Sequence, residues 1–183
     1  MPVRLRQPLA VPTRLNETWA LDFMADALYD GRPFWALTVI GEGNREALAI
    51  EIGTSIPSAR VIRVLDELVG LYGRPARVRL DNGPELVAEA FVEWCAAQRI
   101  DLGYIQPGKP DQNAFIERFN RTFREEVLDT YLFGSLEDAR AITDAWLDSY
   151  NTERLHDSLG QVPPLTFLPR PDAPAESAFV VST

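Results

Sequence analysis

Three carboxylates stand where an isolated acid is costly or chemically useful. Asp22 interrupts the apolar run Trp19-Ala20-Leu21-Asp22-Phe23-Met24. A charge in mid-strand is expensive to bury unless it is paired, protonated or bound to a metal. Asp81 ends a short β-rich stretch, Ala76 to Leu80, just before the break Asn82-Gly83-Pro84-Glu85. Glu117 follows after thirty-five intervening residues, on a later helical segment. Brought together by a fold, these three acids form the oxygen-rich site that hard cations such as Mg²⁺ require.

Each acid also has an ordinary reading. Asp22 could accept a backbone N–H at a sheet edge or bulge. Asp81-Asn82-Gly83 could be a hairpin turn, although a helical segment follows it and no partner strand does. Glu117 could pair with Arg121 on a solvated helix face. For Glu85 the structural reading prevails, since an acid in the first turn after Pro84 complements the helix dipole. The joint placement at a strand centre, a strand end and a polar helix stripe favours the metal site.

The elements that must position them are legible in order. Thr18 to Met24, Phe34 to Ile40 and Ala47 to Ile52 read as strands, separated by the turns Asp30-Gly31-Arg32-Pro33 and Gly41-Glu42-Gly43-Asn44, hence an antiparallel meander. Val61, Leu65, Leu68, Val69 and Tyr72 make one helical face, ended by Gly73-Arg74-Pro75. A strand from Ala76 to Leu80 is followed by one helix, Glu85 to Gln98, with Val87, Phe91, Trp94 and Cys95 inward, and a fifth strand, Asp101 to Ile105. Asp111 is the expected N-cap of the helix carrying Glu117. On that helix Ile116, Phe119, Phe123 and Val127 form an apolar stripe, and Asn113, Glu117, Asn120, Arg121 and Arg124 a polar one facing a groove. Leu136 to Tyr150 is a last amphipathic helix, with Ala141, Ala145, Trp146 and Tyr150 as packing candidates. The order predicts an α/β fold, a mixed sheet with helices on its faces.

The chain resembles the catalytic core of a DDE transposase, a retroviral-integrase-like domain of the insertion-sequence-three family. The resemblance is carried by Trp19-Ala-Leu-Asp22-Phe, by Arg79-Leu-Asp81-Asn-Gly-Pro-Glu85, and by Pro107-Gly-Lys-Pro-Asp-Gln-Asn-Ala-Phe-Ile-Glu117-Arg-Phe-Asn120 with its interval from Asp81. Tyr150-Asn151-Thr-Glu-Arg154-Leu-His156-Asp-Ser-Leu-Gly160 matches the family's C-terminal signature. The resemblance implies a ribonuclease H-like fold, a mixed five-stranded sheet with helices on both faces. It implies Asp22, Asp81 and Glu117 as catalytic ligands of two Mg²⁺ (or Mn²⁺) ions, and cleavage and strand transfer of DNA during transposition. Lys109, Asn113 and Arg124, and less directly Asn120 and Arg121, are its implied DNA contacts. Implied partners are transposon ends and target DNA, an upstream helix-turn-helix portion, and further copies of the chain assembled on DNA. The alternatives are an inactive remnant that binds DNA or partners, and a structure-specific nuclease.

Departures accompany the match. Relatives carry an acidic-acidic-aromatic run where this chain has Gly41-Glu42-Gly43, and a proline where Leu155 stands. Most relatives are basic, whereas this chain has a net charge of −9. The helix-turn-helix that recognises transposon ends is missing. A uniformly acidic surface repels DNA, but a local basic lip does not. Basic residues collect at Arg60, Arg63, Arg74, Arg77 and Arg79, and again at Lys109, Arg118, Arg121 and Arg124. His156, the only histidine, reads as a structural hydrogen-bonding residue rather than a catalytic one.

The remaining composition sets broad bounds. At 183 residues the chain suits one domain with a full core. Residues 1–16 read as a linker or truncated junction, 17–168 as the core with a C-terminal helical extension, and 169–183 as a flexible tail. No apolar run approaches the ~20 residues that span a membrane. The single Cys95 makes no internal disulfide, and the expected setting is the bacterial cytoplasm, at the nucleoid when active.

Overall fold

The computed structural model describes residues 11–171. Residues 1–10 of the expected linker and 172–183 of the expected tail lie outside the described residues.

Alternating side chains organise the sheet. β1 (Thr18–Ala27), β2 (Pro33–Gly41) and β3 (Glu46–Gly53) form the antiparallel meander. β4 (Arg77–Leu80) lies parallel to β1, and β5 (Asp101–Tyr104) parallel to β4, giving the order β3-β2-β1-β4-β5. The central strand β1 therefore has an antiparallel neighbour on one side and a parallel one on the other. Its residues alternate between two cores. Trp19 and Leu21 join α1 (Ser58–Tyr72) and the helices after β4; Ala20 and Met24 join α4 (Ala114–Phe123) and α5 (Leu136–Thr152). Asp22 shares the parity of Ala20 and Met24, and so projects toward α4.

Several expected elements differ in instructive ways. The helix after Asp81 is two pieces, α2 (Pro84–Val87) and α3 (Glu89–Ala97), parted by Ala88 in an extended conformation. Leu86 and Phe91 are both fully buried. Five residues apart on one helix they would diverge by about 140°; the break lets both reach the core, and it leaves Val87 exposed rather than inward. The Tyr104 hydroxyl donates to the Leu86 carbonyl at the end of α2 (2.8 Å).

Asp111 does not cap α4. A 3₁₀ turn, Pro110–Asn113, runs directly into that helix, and the residue at its N-cap, Asn113, makes no side-chain capping bond. After Phe123 the helix widens into a π turn, Arg124–Leu128, in which the Asp129 N–H reaches the Arg124 carbonyl. α5 is capped by Ser135, whose hydroxyl accepts from the Asp138 N–H (3.1 Å). Ala141 and Ala145 are exposed, and Ala139 and Thr143 take their place in the core. A short α6 (Pro164–Phe167) follows.

Phe119, Phe123, Trp146 and Tyr150 form an aromatic cluster joining α4 to α5, with ring centroids 5.1–5.7 Å apart. The open edge of the sheet is closed by side chains. The Asn151 amide both accepts from the Ala47 N–H and donates to its carbonyl (2.8 Å each), as a partner strand would, and Arg60 and Arg140 donate to the Ile52 carbonyl. Such an edge no longer offers a free ladder.

A clasp joins the two ends of the described chain. The Asn16 side-chain oxygen accepts from the Trp19 indole (3.1 Å) and from Arg170 Nη1 (3.3 Å). Arg170 also pairs with buried Glu46 (2.8 Å) and lies over the Tyr72 ring. Arg170, expected in the flexible tail, is thus held against the core.

Candidate active site

The site is assembled at the point where β1, the end of β4 and α4 meet. Asp22 is directly opposite Thr38 on β2. Its Oδ1 accepts from the Phe23 N–H (2.8 Å) and its Oδ2 from the Asn120 amide (2.8 Å). The Thr38 hydroxyl donates to Asn120 Oδ1 (2.8 Å) and approaches the Asp22 carbonyl (3.2 Å). Asn120 is buried, and a buried amide with both ends engaged holds one orientation. Sequence reasoning placed Asn120 on a groove as a DNA contact; in the structure its side chain faces inward and positions Asp22. Thr38 was missed altogether. The signal was available, since the meander register sets it across from Asp22.

Asp81 follows the last residue of β4 and is exposed. Its Oδ1 accepts from the Gly83 N–H (2.9 Å), an Asx turn into α2 and not a hairpin. A Cβ at Gly83 would lie 3.0 Å from that same oxygen, so the turn leaves little room for a side chain there. Glu117 is exposed in the first turn of α4.

The electrostatics tie the three acids together. Burial pushes the Asp22 carboxyl up to about 6. The Phe23 N–H and the Asn120 amide pull it down, while the negative charges of Asp81, and then Glu117, push it up. Asp22 therefore feels both other acids. Among the described residues, however, no three His, Cys, Asp or Glu side chains are grouped closely enough to hold one metal ion. The chemistry of the donors fits hard divalent cations such as Mg²⁺ or Mn²⁺. Asp22 is the acid that could be shared between a pair with Asp81 and a pair with Glu117, and a cation there would relieve the repulsion that raises its proton affinity.

The raised proton affinity of Asp22, due first to burial and then to the neighbouring acids, has a thermodynamic sign. An unfolded Asp titrates near 3.9, so between roughly pH 4 and 6 the folded chain holds the extra proton. The contribution of Asp22 to stability is thus most favourable below about pH 4 and is lost as the pH rises through 6. With divalent ions chelated, Asp22→Asn is expected to flatten this dependence, while giving up one of the two hydrogen bonds that the Asp22 oxygens accept. Melts at pH 4.5 and 7.5 check it; an unchanged difference between the two pH values would contradict the shift.

Beside Asp81 an open cleft of about 710 Å³ is lined by Phe23, Trp35, Ile56, Pro57 and Pro84. Trp35 is 44% exposed. The other expected DNA contacts are placed as follows. Lys109 and Arg121 are exposed; Asn113 is buried. Arg124 is half-buried, donating to the Ala25 carbonyl (3.0 Å) near Asp26 and Asp129. The first basic group is largely committed within the fold. Arg60 pairs with Glu51, Arg74 donates to the Arg99 carbonyl, and Arg79 lies 3.0 Å from fully buried Glu42. Burial raises the Glu42 carboxyl, opposed by Arg79 and Arg45. The Glu42–Arg79 contact is an ion pair without aligned hydrogen bonds.

Comparison with known proteins agrees with this architecture. Residues 98–164 match one integrase core domain family model, and residues 12–110 another. The chain is 42% identical over 166 residues to the insertion element IS476 uncharacterized 39.2 kDa protein of Xanthomonas euvesicatoria, covering 91% of this chain and 48% of that protein. It is 40% identical over 172 residues to the insertion element IS407 uncharacterized 31.7 kDa protein of Burkholderia multivorans, covering 94% of this chain and 62% of that protein. The chain thus spans about half to three-fifths of the length of these relatives.

Two solved structures share its fold. One is the simian T-cell lymphotropic virus intasome in complex with a PP2A regulatory subunit, with a TM-score of 0.72 at 16% identity over 96% of this chain and 62% of that one. The other is the HTLV-2 integrase catalytic core domain in complex with magnesium, with a TM-score of 0.62 at 19% identity over 82% of this chain and 95% of that one. The mixed five-stranded sheet is the ribonuclease H-like fold of retroviral integrase cores. With the family match extending from residue 12 to residue 110, more than half of its length, the chain belongs to the integrase core domain family.

Proposed function

We propose that this chain is a DDE polynucleotidyl transferase core which cuts and joins DNA in transposition, with Asp22, Asp81 and Glu117 as its catalytic metal ligands. The observation that carries the reading is the coupling of Asp22 to both other acids at the edge of an open cleft. Two divalent ions bound by these carboxylates would supply Lewis-acid stabilisation of the attacking and leaving oxygens.

The protein's own residues have separate tasks. Asn120, held by Thr38, keeps Asp22 Oδ2 in one orientation. The Gly83 N–H does the same for Asp81. On this reading the cleft receives the DNA backbone, Trp35 offers a face on which a base can stack, and the exposed Lys109 and Arg121 meet phosphates. Hydrolysis breaks one P–O bond and leaves a 3′-OH. Attack of that hydroxyl on a second phosphodiester exchanges one such bond for another, so joining needs no external energy source. On this reading, end recognition falls to a helix-turn-helix portion outside this chain, two or more copies assemble on DNA, and the work is done at the bacterial nucleoid.

The test is a branched DNA that mimics a strand-transfer product, incubated with the chain and Mg²⁺ or Mn²⁺. It supplies the 3′-OH and its geometry, so end recognition matters less. Metal-dependent resealing supports the reading. Cleavage without joining indicates a structure-specific nuclease, and binding without reaction an inactive remnant.

A further inference from the structure

The other side of α4 opens on a second pocket, of about 310 Å³, between the β2–β3 turn, α4 and the segment after α5. None of Asp22, Asp81 and Glu117 lines it. Ala114, Arg118 and Thr122, spaced one helical turn apart, form its floor, whereas Glu117 and Arg121 lie on the neighbouring stripe. The far wall comes from the C-terminal signature, whose role the catalytic reading leaves unexplained.

The charged groups facing this pocket are Arg45, Arg118, Arg154, His156 and Asp157. Arg154 is committed to Glu126, and Asp157 accepts from Gln161. Arg45 stands in the β2–β3 turn at a positive φ of 62°. Its guanidinium stacks on Phe115, 3.6 Å from the ring centroid. Stacking occupies the flat face and leaves the N–H edge turned away from the ring, and Nη1 on that edge is buried without a hydrogen-bond partner among the described residues. His156 packs edge-on against Tyr150 (4.9 Å), and its Nε2 is likewise buried and unpartnered.

Two buried nitrogens without partners beside one cavity are unfavourable unless a ligand meets them. An arginine edge, a second exposed arginine and an imidazole suit an acceptor-only anion with several oxygens. Burial, with the charges of Arg154 and Arg45, holds the His156 imidazole below its ordinary value, and a bound anion acts in the opposite direction. Arg118 is exposed and directly follows Glu117, about 100° around α4 from it, so this pocket and the catalytic stripe share one helix.

We propose that the Arg45–Arg118–His156 pocket is a non-catalytic site for a phosphate of the nucleic-acid backbone. This rests on the reading of the chain as a DNA-processing core. It also gives the C-terminal signature a task, which is to close the pocket with His156 while Asn151 ties the same segment to β3.

His156 is the only histidine, so its Cε1–H and Cδ2–H resonances report on the pocket directly. The full chain is titrated with inorganic phosphate and, separately, with a short DNA duplex. Saturable shifts with both, and a rise in the His156 pKa on binding, are expected. Arg118→Gln, at an exposed position that spares the fold, should weaken duplex binding and reduce the slope of log K against log salt by about 0.9 for the lost phosphate contact. Arg118→Lys should recover part of that slope. A response to inorganic phosphate alone means a free-anion site and overturns the assignment to DNA. A silent His156 while the branched substrate is cut or joined overturns the pocket and spares the catalytic reading. If neither inorganic phosphate nor the duplex moves the His156 resonances, the pocket assignment falls, and the catalytic reading is decided separately by the branched substrate.

Discussion

Asp81→Asn and Glu117→Gln are each expected to cut metal-dependent joining of branched DNA by about 10³-fold or more, equivalent to roughly 4 kcal/mol of transition-state stabilisation. Neither change should unfold the chain. Both positions are exposed, and the amide that replaces the Asp81 carboxylate keeps an oxygen for the Gly83 N–H. A second readout separates electrostatic from structural damage. Asp81 raises the proton affinity of Asp22 more than Glu117 does. The titration midpoint of Asp22 should therefore fall in both variants, and further in Asp81→Asn. Followed by carboxyl NMR in metal-free protein, that order checks whether the three acids share one field. Full joining activity in either variant would remove that acid from the catalytic set.

The second large effect is on stability. Phe123→Ala should cost about 3–5 kcal/mol, the range for truncating a buried aromatic. Phe123 is fully buried against Trp146, with centroids 5.2 Å apart, and the cluster is the main bond between α4 and α5. For a domain of this size, about 4 kcal/mol lowers the melting temperature by roughly 8–16 °C. Because α4 also carries Glu117 and Asn120, loosening its packing should reduce joining even at temperatures where the variant remains folded. Thermal melts beside assays at 15 °C test this. A melting temperature within about 3 °C of the parent would mean that the cavity collapses without cost.

The sheet was legible because alternation is a local signal. Trp19 to Met24 alternates between two cores, and one acid among five apolar residues marks the point where the pattern serves chemistry. The apolar stripe Ile116, Phe119, Phe123 and Val127 is buried as its spacing implies. The polar stripe beside it was harder to read, since a period shows which residues share a side but not what lies over it. β2 covers Asn120, which becomes a support for Asp22, while Arg121 on the same stripe remains exposed. The break at Ala88 was hidden for a related reason. Nothing in the propensities of Val87-Ala88-Glu89 forbids a helix, and only the competition of Leu86 and Phe91 for the core decides against one. Glu42 is similar. A glutamate between two glycines reads as a solvated turn, and its burial depends on Arg79, a distant residue on β4.

The clasp at Asn16, Glu46 and Arg170 has a mechanical meaning. The chain enters and leaves the core at neighbouring points, so tension applied through its flanking segments passes across the clasp and does not run along the strands. An ion pair and a few amide hydrogen bonds take the load, and they yield one at a time, as in peeling. The ladder that holds Asp22 beside Asp81 lies off the line of force. A catalytic edge supported in this way can keep its geometry while the segments on either side are pulled.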